Sequence, residues 1–186
     1  MPQRKIELAT GQVYHVYNRG FLKESIFLHE DDYWRFLQRI ELYRKKFDIQ
    51  VIAWALIPNH FHMLVRAIGV RTPNELNSIS SFLLKLQQSH AMYFKYKYSK
   101  KGPLFQGRFN AKPVIDDQYL IQLLHYIHRQ PSHHDICPDK DWPYTSLSRY
   151  MVSSPDSKLL NIDDYYTSFK SFEGLVESGL EFDTLP

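Results

Sequence analysis

The sequence predicts an α+β fold with the element order βαββαβα around a central antiparallel sheet. Three observations carry it: short segments that alternate apolar and polar residues, longer segments with apolar residues at helical spacing between them, and a two-residue turn, Pro58-Asn59, joining two apolar runs. Val13-Tyr14-His15-Val16-Tyr17-Asn18 is the first strand, closed by Gly20. His15 shares a face with Val13 and Tyr17 and reads as a structural histidine. Asp31 or Asp32 can cap a helix carried by Tyr33, Phe36, Leu37, Ile40 and Phe47. Ile49 to Ile57 has apolar residues on both faces, as a central strand requires. Pro58-Asn59 then turns the chain into a second strand of a hairpin.

Thr72-Pro73-Asn74-Glu75 has the marks of a helix start, with a Thr cap, Pro in the first turn and Glu three after the cap. That helix should run through Leu76, Ile79, Leu83 and Leu86 towards Tyr93. Asn110 to Ile115 is a strand containing Pro113, which places it at a sheet edge or bulge. Asp116 or Asp117 caps a last helix, ended by Pro131, whose stripe Leu120, Leu123, Leu124 and Ile127 is a core face. Beyond it, Asp141-Trp142-Pro143-Tyr144-Thr145-Ser146 is turn-rich. Residues 1–151 are thus expected to form one domain and 152–186 an acidic extension that packs onto it.

Composition narrows the function. Cys137 is the only cysteine, so neither a disulfide framework nor a cysteine zinc site is expected. No long apolar run follows Met1-Pro2-Gln3-Arg4-Lys5 or occurs elsewhere, so the chain is expected neither to be secreted nor to span a membrane. The net charge of +3 is unevenly spread. Residues 1–154 carry 21 Lys and Arg against 13 Asp and Glu, and residues 155–186 two against seven. A basic body rich in aromatic residues suits nucleic acid, because cations meet phosphates and rings stack on bases; an ordinary solvated surface has the same composition. Lys95, Lys97, Lys100 and Lys101, interleaved with Tyr96 and Tyr98, read either as a DNA-contacting run or as a solvated helix end.

The central stretch is Leu56-Ile57-Pro58-Asn59-His60-Phe61-His62-Met63. On a strand His60 and His62 point to one face while Phe61 and Met63 point to the other, which makes a two-point metal claw. Imidazole suits Zn, Mn, Fe or Cu, and Mg if oxygen ligands complete the shell. With nine histidines in the chain, spacing alone does not separate a ligand pair from two histidines on a strand. On the last helix Tyr126 and Gln130 lie about 40° apart and one turn from each other, so they can reach one site. Tyr119 sits on the same flank, and spacing ranks neither tyrosine above the other.

These blocks together resemble a known family. Tyr14-His15-Val16-Tyr17-Asn18-Arg19-Gly20, Ile26-Phe27, Ile57-Pro58-Asn59-His60-Phe61-His62, Leu104-Phe105-Gln106-Gly107-Arg108-Phe109, Tyr126-Ile127-His128-Arg129-Gln130-Pro131 and Asp141-Trp142-Pro143-Tyr144-Thr145-Ser146 look like the single-tyrosine HUH-type transposases. The likeness is to the REP-associated tyrosine transposases and their relatives in the transposase-17, IS200-like group. It implies a ferredoxin-like βαββαβα sandwich, with His60, His62 and Gln130 as ligands of a divalent ion, Mg²⁺ or Mn²⁺, and Tyr126 as nucleophile in preference to Tyr119. Gln130 stands where the family more often has Asn, and Ser132-His133-His134-Asp135 departs from its usual Val-Arg-Ala-Gly. The implied activity is cleavage and strand transfer of single-stranded DNA through a 5′-phosphotyrosine, with recognition of hairpin DNA. The alternative is a hairpin-binding regulator on the same scaffold that cuts little. Arg19, Arg108, Lys112 and the Lys95 to Lys101 run are the expected backbone contacts. Relatives include homodimers that exchange the tyrosine helix and monomers that act in cis, so a homodimer is one expectation for this chain, and the chain is expected in the cytoplasm, associated with the nucleoid.

Overall fold

In a computed structural model, which describes residues 8–69 and 78–151, the sheet is built around β1 (Val13–Arg19). It pairs antiparallel with β3 (His60–Ala67) on one side and with the short β4 (Asn110–Pro113) on the other. β2 (Ile49–Ile57) pairs antiparallel with β3, giving the order β2-β3-β1-β4, so the strand expected in the middle of the sheet lies at its edge, its apolar faces buried by helices on either side. The order is that of a ferredoxin-like sheet. Pro113 ends the edge strand, where its missing N–H breaks no central ladder.

Two helices, α1 (Glu30–Lys46) and α2 (Ser78–Tyr98), cover one face, and Phe36 of α1 meets Phe61 of β3 at 5.5 Å between ring centroids. A third, α3 (Asp117–His128), packs on β2 and β3 from the opposite face through Leu120, Leu123, Leu124 and Ile127, all buried. Alternation along β3 therefore sends Phe61 and Met63 into the core under α1 and α2 while His60 and His62 face α3.

Helix starts follow local chemistry, with one departure from expectation. Asp116 caps α3 by accepting from Tyr119 N at 2.7 Å. For α1 the cap is His29 instead of Asp31 or Asp32; the fully buried Asp32 sits three residues in and accepts from His29 N at 3.0 Å and Leu28 N at 2.8 Å. Its carboxylate is also reached by Tyr93, Lys97 and Tyr98 of α2, so a tertiary contact fixes its position. Pro131 does not itself end α3. The helix closes at His128, and Pro131 lies in the first turn of a short α4 (Gln130–His133), where a missing N–H costs little. The expected helix start at Thr72 to Glu75 and the acidic extension 152–186 lie outside the described residues.

The chain then returns along β2. Leu56 N donates to Tyr144 O at 3.0 Å, Ser146 N to Trp54 O at 2.9 Å, and the Trp142 indole to Leu56 O at 2.8 Å. This strap covers the outer edge of β2 and leads into α5 (Leu147–Met151). Among the described residues no helix is long and apolar enough to cross a membrane.

Candidate nucleic-acid cleavage site

The antiparallel register of β1 and β3 sets Arg19 opposite His60 and Tyr17 opposite His62, and β4 adds Lys112 opposite His15. Opposed residues share a face. So His15, Tyr17, Arg19, His60, His62 and Lys112 line one surface, and α3 brings Tyr126 and α4 brings Gln130 onto it. The Tyr126 ring stands edge-on to His62 at 5.5 Å between centroids, and the His60 and His62 rings are 5.0 Å apart. Tyr119 makes no such approach to the histidines; its influence is on Tyr17, whose phenol is pushed up by burial first and by Tyr126 and Tyr119 next.

Hydrogen bonds fix how the polar atoms point. Gln130 Nε2 donates to Tyr126 O at 3.2 Å, which turns Oε1 towards His60 Nε2, also 3.2 Å away. The other ring nitrogen, His60 Nδ1, lies 2.7 Å from Asn59 Oδ1. Burial holds His60 down at about 4, with the Gln130 bond opposing it, so the ring is a neutral imidazole with one proton. Its two nitrogens face two oxygens that can only accept. A neutral ring has one proton for these two acceptors, so one nitrogen donates and the other keeps its lone pair; with the proton on Nδ1 towards Asn59, the Nε2 lone pair is free for a ligand.

A cation placed between Nε2 and Oε1 would be met by two lone pairs. With ligand distances of about 2.0–2.2 Å, neighbouring donor atoms of one ion sit about 3 Å apart, and His60 Nε2 and Gln130 Oε1 fit. His62 is buried in the same wall and is held well below the usual imidazole range by burial, then by the neighbouring rings of His15, His60 and His134. Its Nδ1 lies 2.8 Å from His15 Nε2. That leaves Nε2 as the nitrogen available to an ion. Among the described residues no three His, Cys, Asp or Glu side chains form a metal-binding group, so the set that fits here depends on the amide of Gln130. His134 packs against His60 at 4.8 Å between centroids and His133 against Tyr126 at 6.5 Å. The segment that departs from the family pattern thus forms the outer rim of the site.

The basic residues divide into two groups. Arg19 is exposed and its guanidinium meets Gln106; Arg108 and Lys101 are exposed on the loop that follows α2. Lys112 is half-buried beside His15. Lys95 is exposed on α2. Lys97 is instead held by Asp32 at 2.9 Å and by Tyr93 at 2.8 Å, and Lys100 by Glu24. The partners missed from the sequence are His15 and Asn59, each bonded to one histidine of the pair. His15 carried a signal, its place on the Tyr17 face of β1, but the register that sets it beside His62 is a long-range property.

Comparison with known proteins agrees with this architecture. No curated protein matches the chain. The structure of a REP-associated tyrosine transposase bound to a REP hairpin is similar at a TM-score of 0.66 and 17% identity, covering 88% of this chain and 90% of that one. Weaker likenesses, both at a TM-score of 0.43, are to a proposed transposase from Deinococcus radiodurans and to a bacterial tRNA(His) guanylyltransferase-like protein in complex with ATP. The first is 15% identical over 70% of this chain and 98% of that one, the second 14% identical over 98% and 76%. The family model of IS200-like transposases matches residues 9–130, a segment that runs from β1 through His60 and His62 to Gln130, and the chain belongs to that family.

Proposed function

We propose that the chain is a metal-dependent DNA-strand transferase that cuts single-stranded DNA beside a hairpin and keeps the bond energy in a 5′-phosphotyrosine. The observation that carries this reading is the convergence of His60 Nε2 and Gln130 Oε1 at 3.2 Å, with Tyr126 edge-on to His62 on the same surface. His60, His62 and Gln130 would hold a divalent ion, Mg²⁺ or Mn²⁺. Bound there, it would polarise a non-bridging oxygen of the scissile phosphate and offset the charge that develops as the bond breaks.

The chain's own residues do the rest. Tyr126 Oη attacks phosphorus; a P–Oη bond forms and the P–O3′ bond breaks. The phenolic proton passes to solvent, and the departing 3′-oxygen takes one from solvent. The cut strand then ends in a free 3′-OH, and its 5′-phosphate stays on Tyr126. Attack by another 3′-OH reverses the step and restores the phenol, so rejoining needs no nucleotide cofactor. Arg19, Arg108, Lys112, Lys95 and Lys101 would neutralise backbone phosphates, while Lys97 and Lys100 reach DNA only by leaving their carboxylates. A hairpin as partner is suggested by the similar transposase, described as bound to one.

The test is incubation with labelled hairpin oligonucleotides from the DNA flanking its own gene, with Mg²⁺ or Mn²⁺, on a denaturing gel. A labelled band at protein size, lost with EDTA and in Tyr126→Phe, is expected. A native-gel shift without that band would make the chain a hairpin-binding regulator.

A further inference from the structure

Beside the site stands a feature that the chemistry above does not use. After β1 the chain makes a tight turn, Phe21–Lys23, in which Leu22 (φ 54°) and Lys23 (φ 62°) both take left-handed backbone conformations. Neither is glycine, asparagine or aspartate, the residues that tolerate this region. A non-glycine residue held there persists only when its surroundings over-determine it, and such strain gathers at functional positions. Leu22 is 74% exposed, and Phe21 beside it 39%. The strain therefore buries nothing; it presents an apolar tip to solvent.

The turn is fastened from every side. Gly20 N donates to Asn59 O at 2.7 Å, Phe21 N to Leu104 O at 2.9 Å, and Ile26 N to Pro58 O at 2.7 Å. A side chain at Gly20 would place its Cβ 1.9 Å from Glu24 O, so the turn closes tightly over a residue that must be glycine. Asn59 links the turn to the site directly. Its Nδ2 donates to Lys23 O at 3.3 Å and its Oδ1 lies 2.7 Å from His60 Nδ1. One side chain thus holds both the tip and a histidine of the claw, and Arg19, opposite His60, precedes the turn by two residues.

We propose that the Phe21–Leu22 tip is a DNA-reading wedge: it packs against a nucleobase next to the phosphate held at His60 and His62, separates it from its neighbour, and so sets which phosphate meets Tyr126. Apolar side chains that enter between bases unstack them, and rings accept any base on their face. Arg19 and Lys101 supply the phosphate contacts that bring a strand across the tip. The chemistry suits single-stranded DNA, whose bases are free to splay. The inference rests on the strand-transfer reading for the identity of the phosphate.

Leu22→Gly separates wedge from scaffold, because glycine takes the left-handed conformation without strain. The measurement uses full-length Tyr126→Phe protein, which cannot cut, and a hairpin oligonucleotide from the flanking DNA with 2-aminopurine at successive positions of its single-stranded arm. With Leu22 present, fluorescence should rise at one or two positions. In Leu22→Gly that rise should vanish and affinity fall about tenfold, the scale of one lost base contact, while the melting temperature stays level or increases. Unchanged affinity and fluorescence in Leu22→Gly, or no fluorescence change with Leu22 present, would overturn the wedge. The adduct assay with Tyr126 intact reports separately: adduct with no fluorescence change sinks the wedge alone, and fluorescence change with no adduct sinks the transfer reading alone.

Discussion

His15 Nε2 lies 2.8 Å from His62 Nδ1, and both imidazoles are buried. Burial, with the charge of Lys112 adding to it, holds His15 down at about 4, so one neutral ring donates and the other accepts. The bond fixes which nitrogen of His62 faces the site. His15→Ala should therefore weaken Mn²⁺ binding by about 10–100-fold, the usual effect of losing a partner that orients a ligand. Titration calorimetry with Mn²⁺ alone reads this without any DNA. An affinity equal to that of the parent chain would reduce His15 to a packing residue.

Asp32 predicts a loss of stability rather than of chemistry. Its carboxylate is buried and closes the start of α1, while Tyr93, Lys97 and Tyr98 tie it to α2. Although burial opposes the charge, the hydrogen bonds from Leu28, Lys97, His29 and Tyr93 together hold it well below the usual carboxylate range. Asp32→Asn should cost about 2–4 kcal/mol in denaturant unfolding, since it breaks a buried charged network on one side. A loss under about 0.5 kcal/mol, the range of ordinary surface changes, would mean that Asp32 does not hold α1 to α2.

Buried histidines make the fold sensitive to acid. His90 is held down to about 4 by burial, opposed by its bond to Ile26 O, and His128 to about 3 by burial and then the charge of His125. Unfolded, both titrate near 6.5. Between that value and about 4 the unfolded chain binds more protons, so stability falls as pH falls through this window. Thermal melts should drop steadily from pH 7.5 to about pH 5. Replacing His90 with Gln should flatten part of that slope, and an unchanged profile would remove His90 as its source.

The lysines at the end of α2 should separate by role. Removing Lys101 should lower single-strand affinity and reduce the salt slope by about 0.7 if it meets one phosphate. Lys97→Ala should leave the slope unchanged and lower the melting temperature, because Lys97 is held by Asp32 at 2.9 Å. Equal salt slopes for both variants would contradict the division.

What the sequence made legible was whatever depends on near neighbours. Alternation placed His60 and His62 on one face, and helical spacing placed Leu120 to Ile127 inside. The cap of α1 is not legible locally because Asp32 acts from inside the helix, positioned by Tyr93, Lys97 and Tyr98 some 61 to 66 residues away. Tyr119 and Tyr126 share a helix flank that spacing does not divide, and the placement of α3 over β3 brings Tyr126 edge-on to His62. The strap from Trp142 to Ser146 bonds to β2 through its backbone at Tyr144 and Ser146 and through the Trp142 indole and the Ser146 hydroxyl, a pairing with a strand some 90 residues earlier that no local pattern encodes. The strained turn at Leu22 gave no warning, since nothing about a leucine announces a left-handed residue.

That strap has a consequence for reaction order. His128 Nε2 lies 2.7 Å from Ser146 Oγ, and Ser146 is bonded to the backbone of Trp54 on β2. The helix bearing Tyr126 is thereby moored to the sheet of its own chain, beside its own histidine pair. Each molecule carries a complete set of the proposed reacting groups. Adduct formation should be first order in protein, and the fraction of chains labelled should not change on dilution.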